Sequence, residues 1–265
     1  GNGKTALAMA VAEVLPGRIY IPYTVSTDGQ IIKVFDLNNH RPVAAPEGDE
    51  PRPGGLRTRA RYDRRWALIK RPFIVVGGEL LLASLDLVYD PVAKTHEAPY
   101  QLKANGGIFL IDDFGRQQVR PRDLLNRWIM PLERRVDFLT LNTGKKIELP
   151  FDVLIMFSTN LAPRELVDEA FLRRIPHKIE IPDPGFDEYR EIFKRTCERL
   201  RIAYDEKMLA YLLQEYYVKL KQPLRAVHPR DILQHLSDSA RFRRVSPELR
   251  KDLIDDACRA YFLRY

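Results

Sequence analysis

Two adjacent carboxylates close an unbroken apolar run in this chain. Ile108, Phe109, Leu110 and Ile111 are followed by Asp112 and Asp113, then Phe114 and Gly115. A short run with no polar residue reads as a strand buried on both faces, as in a parallel α/β sheet. Acids at the carboxyl end of such a strand lie where open α/β sheets bind ligands. A second group stands at the start of the chain, Gly1-Asn2-Gly3-Lys4-Thr5. It matches the second half of the phosphate-loop pattern G-x-x-x-x-G-K-[ST]. Gly3 leaves room for a phosphate against the backbone, Lys4 can reach the outer phosphates, and the Thr5 hydroxyl can ligate Mg²⁺. The residues from Ala6 onward, ALAMAVAEVL, are good helix formers, so first-turn N–H groups would point at the anion.

Together the two groups define a nucleotide-and-Mg²⁺ chemistry. Gly1, Asn2, Gly3, Lys4, Thr5 and Ala6 would hold phosphates, and Thr5 and Asp112 would hold Mg²⁺. Asp113 would face an attacking water. The full pattern needs an earlier glycine, five residues before Gly3, and a strand feeding the loop. The sequence therefore begins inside its own phosphate loop and is expected to be a piece of a longer protein.

The elements that must position these groups can be read along the chain. Residues 5–15 read as the helix after the loop, stopped by Pro16-Gly17. RIYIPY (18–23) reads as a strand. Asp28-Gly29 signals a tight turn, with QIIKVFDL as the second arm of a hairpin. Residues 38–65 read as loop, 73–76 as a short strand, and 79–87 as either helix or strand. LVYDPVAKTHEAPY reads as a hairpin around Asp90-Pro91. After the acids, 121–134 has apolar residues at helical spacing. VDFLTL and KKIELPFD flank Asn142-Thr143-Gly144 as a further hairpin. Residues 153–157, VLIMF, form another apolar strand, closed by Ser158, Thr159 and Asn160. Beyond Pro182-Asp183-Pro184-Gly185 no strand signal remains. Amphipathic helices are expected over 187–200, 205–220, 229–241 and 247–263, the last with Ser246-Pro247 as N-cap and first position.

At 265 residues the chain is one large domain or two small ones. No apolar run approaches the ~20 residues of a membrane span, and a cytoplasmic location is expected. Cys197 and Cys258 lack metal spacing and read as reduced core thiols. The formal charge is +7, and the stretch from Arg52 to Arg71 holds eight Lys or Arg against one acid, Asp63. The rest of the chain is thus near neutral. Such a segment, with Tyr62 and Trp66 interleaved, fits a solvated loop or a contact with nucleic acid or an acidic partner.

With these motifs in order, the chain resembles AAA+ ATPases over nearly its whole length. GNGKT resembles Walker A and IFLIDD resembles Walker B. FSTN (157–160) resembles sensor 1, which gives Asn160 a role beside Asp113 in holding water or the γ-phosphate. DEAFLRRIPHKIEIPDP resembles the segment whose arginines act on a neighbouring subunit's nucleotide, here Arg173 or Arg174. RAVHPRDIL resembles the start of the sensor 2 helix, which places Arg230, with Arg225 as a rival, on the nucleotide. The hairpins ahead of each apolar strand resemble the branch that holds enhancer-binding activators, MoxR-type ATPases and magnesium-chelatase subunits, although no GAFTGA-like motif is present.

The resemblance implies a P-loop NTPase αβα sandwich with a parallel sheet over 1–183 and an all-α helical lid over 184–265. It implies ATP and Mg²⁺ as cofactors, and a homo-hexameric ring that remodels an unidentified protein partner. Two alternatives stay open: a nucleic-acid-dependent ATPase such as a loader or transposition helper, and a slow-hydrolysing nucleotide switch or scaffold. The second Walker B acid is usually Glu in the family. Asp113 is one methylene shorter, which implies slower hydrolysis.

Overall fold

The computed structural model describes residues 3–44, 63–162 and 172–262. They fall into two compact units that divide between Lys178 and Ile179, with Lys4 grouped with the second unit. The first unit is mixed α/β and the second is helical.

The first unit is built around a parallel three-stranded sheet. Helix α1 (Lys4–Val14) comes first, then strands β1 (Arg18–Pro22), β2 (Thr24–Thr27) and β3 (Gln30–Lys33). Strands β4 (Trp66–Lys70) and β5 (Phe73–Val76) follow, then a 3-10 turn over Leu82–Leu85. Next come β6 (Val88–Asp90), β7 (Thr95–Glu97), helix α2 (Tyr100–Lys103) and β8 (Ile108–Ile111). The unit continues with α3 (Pro121–Arg127), α4 (Ile129–Arg134), β9 (Val136–Thr140), β10 (Lys146–Pro150) and β11 (Leu154–Phe157). β8 lies between β11 and β5, parallel to both, and Val76, Ile111 and Phe157 end level with one another. All four β8 side chains are buried, so the apolar run behaves as the sequence predicts.

Two glycines make this sheet possible. Gly106 has φ +75°, and a Cβ there would meet Ile19 Cδ1 at 2.8 Å. A Cβ on Gly107 would lie 2.1 Å from the Pro72 carbonyl oxygen. With no side chain in the way, Ile108 N–H donates to that same oxygen at 2.9 Å and Gly107 O accepts from Leu154 N–H at 3.0 Å.

The remaining strands form smaller sheets. β2, β3, β7 and β6 make a four-stranded sheet, β9 and β10 a hairpin, and β1 pairs antiparallel with β4. Ile32, Val34 and Ala98 pack with Leu139, Leu141 and Ile147, which lays the β9–β10 hairpin on the four-stranded sheet. Three expectations are corrected. RIYIPY is not an arm of the Asp28-Gly29 hairpin: that arm is β2, and RIYIPY pairs with β4, whose strand character was not foreseen. The helix expected over 121–134 is two helices meeting at the fully buried Trp128. Pro131 has no N–H for the Arg127 carbonyl and crowds it, which ends the first helix. The ambiguous 79–87 stretch contains only the 3-10 turn. Of the expected 38–65 loop, residues 45–62 lie outside the described residues.

Buried polar groups tie these sheets to α2. Lys103, 6% exposed, donates to Asp36 at 3.0 Å and to Glu97, and the flanking carboxylates raise its pKa against the effect of burial. His40 is also buried. Its Nδ1 accepts from Asp36 N–H at 3.0 Å, so its Nε2 carries the proton given to the Lys103 carbonyl at 2.9 Å. Below β8, Arg127 and Gln101 both reach the buried Asp137, at 2.6 and 3.1 Å, and Gln101 also donates to the Leu85 carbonyl.

The second unit holds α5 (Phe186–Leu200), α6 (Glu206–Leu212), a π-helical turn (Leu213–Val218), α7 (His228–Arg243) and α8 (Lys251–Tyr261). Tyr189, Phe193, Leu212, Leu236 and Leu253 lie at its core. Cys197 and Cys258 are there too, unpaired, and burial pushes both thiols up to about 12. The π turn aims Tyr217 inward, where Tyr189, Tyr217 and His228 Nδ1 form a buried chain of hydrogen bonds at 2.7 and 3.0 Å. Asp255 accepts from the hydroxyls of Tyr211 and Tyr216. Ser246-Pro247 does not start the last helix: residues 246–250 run without helical structure, Leu249 is buried, and α8 begins at Lys251.

Two predictions follow from packing. Gly107→Ala should cost about 1–3 kcal/mol by forcing β5 and β8 apart, read as a lowered urea midpoint with an unchanged slope. His40 and His228 are held below the ordinary 6.5, in both cases chiefly by burial. The unfolded chain therefore takes up protons that the native state refuses, and stability falls as pH drops from 6.5 toward 5. The loss should be at most about 1.4 kcal/mol per pH unit for each histidine. Thermal melts across that window would show it, with a shallower fall in His40→Gln.

Candidate functional site

At the carboxyl end of β8, Thr5, Asp112, Asp113 and Asn160 come together. Asp112 N–H donates to the Val76 carbonyl at 2.8 Å, carrying the sheet pattern one residue beyond β8. The chain then turns sharply. Asp113 sits in the left-handed region at φ 49° and Gly115 at φ 102°. A non-glycine residue adopts this region mostly where its surroundings hold it, and Asp and Asn are favoured there.

Several bonds hold the turn. Phe114 N–H donates to the Ser158 carbonyl at 2.7 Å, and the Thr159 hydroxyl donates to the Phe114 carbonyl at 2.8 Å. Gln117 spans the turn. Its Nε2 donates to the Asp112 carbonyl at 2.9 Å and its Oε1 accepts from Gly115 N–H at 2.8 Å. Phe114 is buried and packs on Phe157 with ring centroids 4.9 Å apart.

Into this frame come the polar groups. The Thr5 hydroxyl, in the first turn of α1, donates to Asp112 Oδ2 at 2.9 Å across 107 positions of sequence. Asp112 Oδ1 accepts from Asp113 N–H at 3.1 Å. Asn160 Nδ2 lies 3.4 Å from Asp113 Oδ1. Lys4 opens α1, Ala6 is exposed in its first turn, and Gly3 has φ +87°. Gly1 and Asn2 lie outside the described residues.

A hydroxyl and a carboxylate oxygen side by side suit Mg²⁺, which takes one or two protein oxygens and fills its remaining positions with water and substrate phosphate. No group of three or more His, Cys, Asp or Glu side chains among the described residues could hold a metal.

Arg174 reaches Glu133 of α4 at 2.7 Å, and its side chain is 28% exposed. Arg173 is exposed. Arg230 lies in α7 and bonds its neighbour Asp231 at 2.9 Å. Gln117, Thr159 and Glu133 were not singled out by sequence. Thr159 stands next to Asn160 and was within reach of the argument, whereas nothing about Gln117 or Glu133 as residue types marks them.

Known proteins are similar to this chain in three-dimensional structure more than in sequence. A family described as a domain of unknown function (DUF8689) matches residues 185–260. No curated protein matches. Among solved structures, NtrX from Brucella abortus aligns with a TM-score of 0.51 at 17% identity, over 69% of this chain and 42% of that one. A structure of NtrX in complex with ADP gives 0.49 at 18% identity, with the same coverage. A RuvB mutant from Thermotoga maritima gives 0.45 at 12%, over 72% of this chain and 54% of that one. The chain thus spans less than half the length of the NtrX chain. At these identities the likeness is one of fold alone: a mixed α/β part with a parallel sheet followed by a helical part, the fold class expected from the sequence. No helix among the described residues is long and apolar enough to cross a membrane.

The clamp on the acidic turn is open to test. Gln117→Ala removes both of its hydrogen bonds, so the Gly115 amide should exchange with solvent faster. The fold should lose about 1–2 kcal/mol. Unchanged exchange at Gly115 would show that the turn does not depend on Gln117.

Proposed function

We propose that the protein binds ATP with Mg²⁺ and hydrolyses it, and that it does so as a subunit of a ring that remodels a macromolecular partner. The observation that carries this reading is the Thr5–Asp112 hydrogen bond. It joins the start of a helix to the carboxyl end of a buried parallel strand, where phosphate and metal meet in P-loop NTPases. In this reading Gly1, Asn2, Gly3, Lys4 and Ala6 cradle the phosphates, and Thr5 and Asp112 hold the metal. Bound there, Mg²⁺ would neutralise charge on the phosphates. Asp113 and Asn160 orient the attacking water, and their 3.4 Å approach supports a shared role. Arg230 acts on the nucleotide of its own subunit.

Arg174 and Arg173 are proposed to act on the nucleotide of the next subunit. Glu133 holds the Arg174 guanidinium in a set direction, which supports a group whose use depends on placement. An arginine of this kind is worth on the order of 10³–10⁵ in rate.

The tests separate metal, water and arginine. Asp112→Ala should weaken Mg²⁺-dependent ATP binding measured by titration calorimetry. Asp113→Asn should spare binding and stop phosphate release. Arg174→Ala should also spare binding and be inactive, with Arg173→Ala as the parallel variant. Mixing Arg174→Ala with Asp113→Asn should restore hydrolysis at intermediate ratios, since some interfaces then pair an intact acid with an intact arginine. No recovery in oligomers shown to be mixed would overturn the assignment across subunits.

A further inference from the structure

The ribbon of β1 and β4 has two unlike faces. Ile19, Ile21, Ala67 and Ile69 turn inward, where they pack with Phe35. Side chains alternate along a strand, so Arg18 and Tyr20 share the outer face with Trp66, Leu68 and Lys70 of β4, of which Leu68, opposite Tyr20, is buried and the others are exposed. Residues 41–43 extend the ribbon. Pro42 bridges antiparallel to Ile69, Lys70 N–H donates to the Arg41 carbonyl at 3.0 Å, and Val43 N–H donates to the Leu68 carbonyl at 2.9 Å. Arg41 is therefore opposite Lys70, and Lys70 is opposite Arg18.

Three cations thus stand in one row across three strands. Like charges directly opposite one another destabilise a sheet. All three are exposed, none has an ion-pair partner among the described residues, and no residue of 18–22, 41–44 or 66–70 is acidic. An arrangement that costs stability and is not neutralised internally points to an anion from outside. Beside the row, on the same face, Tyr20 is 48% and Trp66 41% exposed. A polyanion that also carries flat rings matches both halves of this surface. Cationic rows follow a phosphate backbone, and exposed aromatic rings stack bases.

We propose that the outer face of this ribbon binds single-stranded nucleic acid, with Arg18, Arg41 and Lys70 on phosphates and Tyr20 and Trp66 under bases. The site lies apart from the nucleotide residues and does not depend on hydrolysis.

Tryptophan fluorescence gives a direct readout, because the chain has two tryptophans and Trp128 is fully buried. Titrating the full chain with labelled oligothymidylate should raise anisotropy and quench Trp66. The logarithm of affinity should fall linearly with that of salt concentration. Arg18→Glu with Lys70→Glu should weaken binding at least about tenfold and flatten the salt slope. Trp66→Ala should weaken binding with little change in that slope. Because the positions are exposed and the row is repulsive, circular dichroism melts of the charge variants should be no lower than the parent's, and Lys70→Gln serves as a milder variant if they are. Absence of binding, or affinity unchanged in the charge-reversed and Lys70→Gln variants, would overturn the proposal. So would polyglutamate competing as well as the oligonucleotide while giving no quenching, since the face would then be one for acidic polypeptides.

Discussion

A strand with all four side chains out of water leaves the chain no choice about where its polar groups emerge. β8 is that strand, 0–1% exposed throughout and flanked by parallel neighbours on both edges. Its register with β5 and β11 brings three strand ends to one level. The first residues past that level are Asp112 on one strand and Ser158 on the next. Ser158, Thr159 and Asn160 then fall beside the Asp112–Phe114 turn through register alone, and their short-range hydrogen bonds complete the site. The glycines at 106 and 107 protect the same register at the opposite end, where a methyl group would collide with the Pro72 carbonyl.

The β6–β7 and β9–β10 hairpins are fastened to this strand through α2, a single helical turn with four residues between it and β8. Lys103 links it to Asp36 and Glu97, and Gln101 links it to Asp137 and so to Arg127 of α3. Buried ion pairs of this sort add little net stability, because desolvation offsets their attraction. Moving the β9–β10 hairpin would part the buried Asp137 from Arg127, and moving β7 would part Glu97 from the buried Lys103.

Much of this was legible in the amino-acid sequence, because the relevant signals are local. The IFLI run, the Asp-Asp ending, the Asn142-Thr143-Gly144 turn and the helical part after Gly185 depend on patterns within about ten residues. What escaped depends on partners far along the chain. β4 has no turn signal to announce its pairing with β1, and TVST is too polar to read as a hairpin arm until Ile31 and Ile32 are placed opposite it. Pro131 splits a helix that its apolar spacing alone would continue. Gln117 and Glu133 draw their importance from atoms that only the folded chain brings near. The uneven charge was visible early, but its ordering into a cross-strand row was not, since that row combines residues 18, 41 and 70.

The identity of the second acid can be argued from the turn itself. At φ 49° the backbone of Asp113 lies in a region that Asp and Asn tolerate best among residues with a side chain, since a short polar group can bond locally. Phe114 and Thr159 hold the chain there through bonds that do not involve the side chain at 113. A longer acid would gain a methylene of reach but is not among the residues enriched in the left-handed region. The shorter carboxylate is therefore the one suited to this backbone. Its reduced reach is set against a turn that already carries it outward to an exposed position, within 3.4 Å of the Asn160 amide. The short side chain at 113 suits a backbone geometry that is held by the turn after the buried strand.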